Sequence, residues 1–341
     1  MHALTGTLNT QVLMLNCDEP ETRLLLTDTN TAKLKMLIGS NPLVVIDEAQ
    51  KVDNIGLTLK LIVDNLPGVQ VIATGSSAFE LHNRLNEPLT GRKMEYNLYP
   101  ISIAELMATS GLLEVSRTLD TRLIYGCYPD IINHPEQARE YLTELTQSYL
   151  YKDILSMGDI RKPALLEKLL QALAFQVGSQ VSVNELSRTL QTDSKTIERY
   201  IDLLQKCYVI FSLGGLSRNL RTELKKSRKI YFYDNGVRNA IIQQFAPAAL
   251  RDDMGALWEN FFIAERMKRN HYSRHLCNYY FWRTTQQQEI DLIEERDGQM
   301  TLFEMKWNPA KKASFPKTFL NAYPVAQQTV ITPDNYLDFV L

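Results

Sequence analysis

The chain has 341 residues, of which 45% are hydrophobic and 22% are charged, and its formal net charge is −2. These values are typical of a globular protein of about two or three domains and exclude a strongly basic protein, so any contact with nucleic acid requires a local basic patch. The four widely spaced cysteines argue against a disulfide framework or a zinc site, while the short apolar runs and the N-terminal sequence predict a cytoplasmic protein without a membrane partner.

Three strands separated by helical segments are predicted in the first hundred residues. The strand sequences are QVLMLN (11–16), LVVID (43–47) and VQVIATG (69–75). Their nearly continuous apolar character is typical of strands buried on both faces of a parallel sheet. A sheet of alternating strands and helices binds ligands at the carboxyl ends of its strands, so these ends are the place to look for a site.

Two adjacent carboxylates, Asp47 and Glu48, follow the second strand. In a P-loop enzyme the first carboxylate of such a pair holds magnesium, and the second orients or deprotonates the attacking water. The third strand ends in TGSS (74–77), where a hydroxyl or amide group can sense a γ-phosphate. The alternative is that the two acids only cap the following helix.

Four sequence blocks in order carry a family resemblance: NCDEPETR (16–23), VVIDEAQKV (44–52), QVIATGSSAFEL (70–81) and LTGRKMEYNLYPISIAEL (89–106). Together they resemble the prokaryotic AAA-like ATPases that carry a C-terminal domain of unknown function. The resemblance implies that ATP and Mg²⁺ are the cofactors and that Asp47 and Glu48 form the Walker B pair. It also implies that Ser76 lies at the exit of the sensor strand and that Arg92 lies near the nucleotide, with no assigned role.

One feature of that family is missing from this sequence. The family has a Walker A loop, GxxxxGK[ST], before the NCDEP block, whereas this chain contains no Gly-Lys dipeptide. The loop and its lysine supply most of the grip on the phosphates. MHALTGTLN resembles the end of the helix that follows the loop, so Met1 resembles an internal methionine. We therefore expect a truncated P-loop-type parallel sheet, with weak or no ATP hydrolysis.

Residues 101–160 are predicted to form a helical connector, and residues 161–236 a winged helix. Helices are predicted for ALLEKLLQALAFQVG (164–178) and SKTIERYIDLLQKC (194–207), with a short helix between them that starts at 184. The strands YVIFSL (208–213) and KIYFYD (229–234) follow. Two helices joined by a turn and followed by a two-stranded wing define this fold.

A DNA-binding surface is predicted from the basic residues of that region. Lys195 and Arg199 point outward from the second helix, next to Glu198 and Asp202. The loop between the two strands is strongly basic, with Arg218, Arg221, Lys225, Lys226, Arg228 and Lys229. Such a patch can neutralise phosphates, but a solvated loop or an interdomain surface explains it equally well.

Residues 237–341 are predicted to form a restriction-endonuclease-like α/β domain. A helix carries Glu259, a strand carries Asp291, and the next strand carries Glu304 and Lys306 on one face. This order matches the PD-(D/E)xK nuclease pattern, in which Glu259, Asp291 and Glu304 bind magnesium and Lys306 stabilises charge at the phosphodiester. The alternative is a buried cluster of ion pairs with the same geometry and no metal.

The sequence therefore predicts a multidomain α/β protein with boundaries at 1–100, 101–160, 161–236 and 237–341. The leading function is an AAA-like ATPase family protein associated with DNA. The alternatives are a Mg²⁺-dependent nuclease and a non-catalytic interaction module that binds a protein partner or a second copy of the chain.

Overall fold

The computed structural model describes residues 10–75, 89, 91–150, 154, 160, 162–217 and 227–341, with only the backbone at 148–150. Backbone contacts divide the chain into a first unit, 1–97, and a second unit, 98–341. Each unit combines helices with one sheet, so the protein is of the mixed α/β class predicted from the sequence.

The first unit has a sheet of three parallel strands in the order β1–β2–β3. The strands are β1 (Val12–Asn16), β2 (Leu43–Asp47) and β3 (Gln70–Ala73). The first four residues of β2 are buried, as expected for a central strand covered on both faces, whereas most residues of β1 and β3 are only half-buried or exposed. The predicted bounds of β2 are confirmed, and β3 is shorter than its apolar run.

Three helices connect and cover these strands: α1 (Pro20–Leu26), α2 (Thr31–Ile38) and α3 (Ile55–Asn65). The side chain of Asn30 caps α2 by accepting a hydrogen bond from the Lys33 backbone N–H. The apolar face predicted for the third helix is buried at Ile55, Leu59 and Ile62. Because the three strands pair in parallel, their carboxyl ends lie at one edge of the sheet.

The second unit begins with a group of helices, as predicted for the connector. They are α4 (Ile103–Arg117), α5 (Leu119–Tyr125), α6 (Pro129–Asn133) and α7 (Ala138–Glu144), followed by a π-helical stretch, Leu145–Leu150. A reciprocal capping box between Ser102 and Glu105 starts α4.

Residues 163–232 contain the helices and strands predicted there, plus one short strand. In chain order they are α8 (Pro163–Phe175), β4 (Gln180–Val181), α9 (Val183–Thr189), α10 (Ser194–Lys206), β5 (Ile210–Gly215) and β6 (Arg228–Phe232). The side chains of Ser182 and Asp193 cap α9 and α10.

The remaining residues supply four more strands and four helices. They are α11 (Asn235–Ile241), α12 (Met254–Tyr272), β7 (Asn278–Arg283), β8 (Glu289–Arg296), β9 (Gln299–Met305), α13 (Lys317–Leu320), β10 (Val325–Ile331) and α14 (Leu337–Val340). Asp297 and Gly298 join β8 to β9 with φ values of 51° and 77°, as the predicted Asp-Gly hairpin turn requires.

One seven-stranded sheet runs through the second unit in the order β10–β9–β8–β7–β5–β6–β4. The parallel pairing of Gly214 with Tyr280 and of Gly215 with Phe281 joins β5 to β7. The long helix α12 packs on this sheet through Trp258 and Phe262, which are fully buried. The two segments assigned to separate domains by the sequence thus share a sheet. Among the described helices, none is long and apolar enough to cross a membrane.

Candidate functional site

The carboxyl ends of β1, β2 and β3 bring polar side chains together in the first unit. Asp47 is the last residue of β2 and is half-buried. The Thr74 hydroxyl, just beyond β3, donates a hydrogen bond to Asp47 Oδ1. The Ala49 backbone N–H donates to the Thr74 carbonyl oxygen over 2.8 Å, which fixes the two strand ends against each other. A carboxylate and a hydroxyl oxygen are hard ligands of the type that Mg²⁺ prefers.

Glu48 turns the chain sharply directly after Asp47. Its φ of 53° lies in the left-handed region, which a residue with a side chain adopts at a cost of about 1–3 kcal/mol. Its carboxylate accepts a hydrogen bond of 2.8 Å from Gln50 Nε2 and lies 3.7 Å from Lys51 Nζ. The backbone turn and these contacts hold Glu48 in a fixed position beside the end of β2.

The segment after β1 completes this edge of the sheet. Asp18 forms an ion pair with Lys51, and Arg23 Nη1 donates to the carbonyl oxygens of Cys17 and Asp18 over 2.7 and 2.8 Å. The Cys17 backbone N–H donates to the Asp47 carbonyl oxygen over 2.9 Å. Burial raises the pKa of the Cys17 thiol to about 11, so this sulfur is protonated at neutral pH.

Of the two other residues predicted from the sequence to contact a nucleotide, the structure describes only Arg92. Ser76 lies outside the described residues. Arg92 forms an ion pair with Asp64, near the end of α3, and α3 runs back from the carboxyl edge to the amino edge of the sheet. Arg92 is therefore placed at the opposite edge from Asp47. Thr74, which the sequence offered only as part of TGSS, takes the place beside Asp47.

Four elements of the second unit bring charged side chains together in what we call the carboxylate–lysine cluster. The cluster consists of Lys229 on β6, Glu259 on α12, Glu289 and Asp291 on β8, Glu304 on β9, and Lys306 just beyond β9. Glu259, Asp291, Glu304 and Lys306 were predicted from the sequence to meet, and they lie in this cluster. Lys229 and Glu289 were not assigned to it.

Lys229 lies among three of the carboxylates. Its Nζ is 3.0 Å from Glu259 Oε1, 2.6 Å from Glu289 Oε1 and 4.0 Å from Asp291 Oδ1. The side chain is 2% exposed, and the ammonium lies 5.6 Å from the centre of the Phe281 ring. The sequence counted Lys229 in the basic loop, but alternation along β6 turns it inward on the same face as Tyr231. Lys229 is therefore not part of an exposed basic patch.

The other end of the cluster contains the Glu-x-Lys pair. Lys306 Nζ donates to Glu304 Oε1 over 2.7 Å, and the Met305 backbone N–H donates to Asp291 Oδ2 over 2.9 Å. The Tyr231 hydroxyl donates to Glu259 Oε1 over 2.6 Å. Glu259, Asp291 and Glu304 therefore each accept at least one hydrogen bond, from a side chain or from a backbone N–H group.

Burial shifts the titration of these acids. Burial, and then the charge of Asp291, raises the pKa of Glu259 to about 7. Burial also raises the pKa of Asp291, and burial together with Asp291 raises that of Glu304. Burial opposes the charge on Lys229, but Glu259, Asp291 and Glu289 outweigh it and raise the pKa of the ammonium. The lysine is therefore held firmly in its charged form.

The predicted DNA-contacting residues fall in two places. Lys195 and Arg199 are exposed on α10, whose buried residues include Ile197 and Ile201. Arg218, Arg221, Lys225 and Lys226 lie outside the described residues. On the same helix, Glu198 is 3.4 Å from Arg228 and Asp202 is 2.8 Å from Lys206. These pairs reduce the negative charge next to Lys195 and Arg199.

Three protein-family models match successive parts of the chain. Residues 1–107 match a family model described as an AAA domain. Two further models, each described as a domain of unknown function, match residues 116–248 (DUF8612) and 254–338 (DUF4143). The AAA match covers β1–β3 and the strand-end residues Asp47, Glu48 and Thr74. This part of the chain is therefore similar to an AAA domain.

Several uncharacterized proteins are similar to this chain over much of its length. One from Mycobacterium tuberculosis is 28% identical over 278 residues, which is 79% of this chain and 60% of the relative. One from Haemophilus influenzae is 28% identical over 182 residues, or 50% of this chain and 46% of the relative. One from Methanocaldococcus jannaschii is 24% identical over 267 residues, or 66% and 54%. The chain thus spans about half to 60% of the length of these relatives.

Proposed function

We propose that this chain is a nucleotide-binding protein of ATPase type whose magnesium site lies at the carboxyl ends of β2 and β3. The observation that supports this most directly is the Thr74–Asp47 hydrogen bond at adjacent strand ends, inside the region that matches an AAA domain. Asp47 and Thr74 would hold Mg²⁺, which supplies positive charge at the phosphates when bound. Glu48, fixed beside them, would orient or deprotonate a water.

We also propose that the chain binds a nucleotide only weakly. The sequence has no Gly-Lys dipeptide, and a P-loop lysine with its glycine-rich backbone supplies most of the phosphate contacts in ATPases of this type. We therefore expect a dissociation constant for Mg-ATP weaker than about 100 µM, equivalent to less than about 5.5 kcal/mol of binding free energy. Ser76 remains a proposed phosphate sensor.

Calorimetric titration of the purified chain with Mg-ATP tests this assignment. Asp47→Asn should remove the magnesium-dependent part of the binding, because the substitution keeps the size of the side chain and removes its charge. Asp64→Asn is the matched control, since Asp64 lies on α3 near the amino edge of the sheet, and it should bind like the wild type. Binding that is equally strong in Asp47→Asn, or tight micromolar binding in the wild type, would contradict the proposal.

We further propose that residues 161–236 form a winged helix that binds DNA. The supporting observation is the order of α9, a tight turn and α10, followed by the antiparallel pair β5 and β6. In this fold the second helix lies in the major groove, and α10 presents Lys195 and Arg199 on its exposed face. Arg218, Arg221, Lys225 and Lys226 would add phosphate contacts from the connection between β5 and β6.

The salt dependence of DNA binding tests the winged-helix proposal. If Lys195 and Arg199 each contact one phosphate, replacing both with alanine should reduce the slope of log affinity against log salt by about 1.8. The matched control replaces Lys33 and Lys35 on α2 and should leave the slope unchanged. Absence of salt-sensitive binding in the wild type would contradict DNA binding and leave a non-catalytic interaction module as the better explanation for the second unit.

A further inference from the structure

The carboxylate–lysine cluster has the residue types of a magnesium-dependent nuclease, but its geometry is different from a metal site. A magnesium centre needs carboxylate oxygens directed at one point that a small cation can occupy. Among the described residues, no three acidic, histidine or cysteine side chains form a group that could hold a metal ion. In the cluster, the point between Glu259, Glu289 and Asp291 is taken by Lys229 Nζ.

Lys229 is fixed in that position by its backbone and by its stem. Its strand pairs with Leu213 of β5 on one side and with Gln180 of β4 on the other, so the backbone cannot shift without breaking the sheet. The whole residue is 1% exposed, and the ammonium faces the Phe281 ring. A buried ammonium with three acid neighbours has no alternative position in which its charge would be compensated.

The charges of the cluster also argue against a bound magnesium ion. Lys229 and Lys306 offset two of the four acids, and Arg283 Nε lies 3.7 Å from Glu289 Oε2 on the outer side. A divalent ion at the acids would lie within a few ångströms of a buried ammonium, where the repulsion is screened far less than in water. The site residues therefore do not fit Mg²⁺ while Lys229 is in place.

We propose that Lys229 is the resident cation of this cluster and that the cluster is a metal-independent ionic junction between β6, α12 and β8. Its role is to compensate the charges of Glu259, Glu289 and Asp291 where α12 packs on the sheet, without a bound ion. Removal of the Lys229 ammonium should therefore convert the same acids into a site that binds a divalent cation.

The test is Mn²⁺ binding by the full chain, measured by the loss of the free-ion electron paramagnetic resonance signal. All proteins carry Asp47→Asn, which removes the metal ligand proposed for the first unit. We expect no Asp291-dependent binding in this background protein. Lys229→Met should bind Mn²⁺ at least about tenfold more tightly, and adding Asp291→Asn should abolish that gain.

Lys268→Met is the matched control. Lys268 is also buried and charged, but its ammonium bonds to a single carboxylate, Glu265, over 2.7 Å. Its removal leaves Glu265 as the one carboxylate that was in contact with the ammonium, while the nearby Asp234 accepts hydrogen bonds from the backbone N–H groups of Cys127 and Val237, so Mn²⁺ affinity should not rise. A rise equal to that of Lys229→Met would show a general effect of losing positive charge and would overturn the proposal.

Two further results would overturn it. One is Mn²⁺ binding, or Mg²⁺-dependent DNA cleavage, that requires Asp291 while Lys229 is present. The other is a folded Lys229→Met protein whose Mn²⁺ affinity is unchanged. If circular dichroism shows that Lys229→Met does not fold, the background protein decides the matter: Asp291-dependent binding contradicts the proposal, and its absence supports it.

Discussion

Asn260 on α12 is the side chain through which the long helix holds the end of β6. Its amide oxygen accepts a hydrogen bond of 2.7 Å from the Phe232 backbone N–H, and its Nδ2 donates to the Phe232 carbonyl oxygen over 3.0 Å. Nδ2 also donates to Asn235 Oδ1 over 2.6 Å, and the residue is fully buried. The amide therefore takes the place of a neighbouring strand where the short β4 does not reach.

Asn260→Ala should destabilise the second unit strongly. The substitution leaves the N–H and C=O of Phe232 without these partners in a buried position, and each such group costs about 1–3 kcal/mol. We expect a loss of about 3–5 kcal/mol in the free energy of unfolding, which for a unit of this size lowers the melting temperature by about 10 °C. Scanning calorimetry of the second unit's transition in the full chain measures this.

The control for this prediction is Asn321→Ala, because Asn321 is exposed just after α13. It should change the free energy of unfolding by less than about 0.5 kcal/mol. A loss below about 1 kcal/mol in Asn260→Ala would refute the reasoning, since water or a shifted backbone would then satisfy Phe232 as well as the amide does.

Two further predictions concern stability. Gly236→Ala should destabilise the protein by about 1–3 kcal/mol, because an added Cβ would lie 2.1 Å from the Tyr125 carbonyl oxygen. Gly255→Ala is the control, since its added Cβ would meet no atom within 4 Å, and it should be neutral or stabilising. Urea denaturation measures both changes. Burial opposes the charge on Asp253, but hydrogen bonds from Arg251 and Arg238 outweigh it and lower its pKa. The stabilisation is therefore present above pH 4 and lost as the pH falls through the lowered pKa, so Asp253→Asn should weaken the acid dependence of unfolding; an unchanged dependence would contradict this.

Local sequence patterns were sufficient to predict the elements that are determined by residues close together in the sequence. The apolar run before Asp47 defined β2, and the Asp297-Gly298 pair defined the hairpin turn. Alternation in the predicted strand TLFEMKW placed Glu304 and Lys306 on one face, and the two side chains do meet. In each case the residues that determine the structure are neighbours within one strand or one turn, so a period of two or a turn preference is enough.

The residues that meet in the carboxylate–lysine cluster are distant in sequence, and the local charge composition indicated a different environment for Lys229. Lys229 lies at the end of a basic run, so the sequence alone placed it in the basic loop between β5 and β6. Its inward position follows from the pairing of β6 with β5 and from contacts with Glu259 and Glu289, 30 and 60 positions further along the chain. Only the face of β6 that it shares with Tyr231 hinted at burial, and a single sequence cannot show which helix covers that face.

Arg92 illustrates the same limit in the first unit. Its block resembles the ATPase family, but the resemblance does not specify on which edge of the sheet the side chain lies. The ion pair with Asp64 places it near the end of α3, away from Asp47. Thr74, by contrast, follows its strand directly, so its position beside Asp47 depends only on the parallel pairing of β2 and β3.

The magnesium dependence of ATP binding, compared between the wild type and Asp47→Asn, tests the central claim most directly. Calorimetric titrations of both proteins would be run with excess Mg²⁺ and with a chelator. If Asp47 and Thr74 form the magnesium site, the wild type should lose affinity when the metal is chelated, and Asp47→Asn should bind equally weakly in both conditions. Equal magnesium dependence in the two proteins would contradict the assignment of the strand-end site.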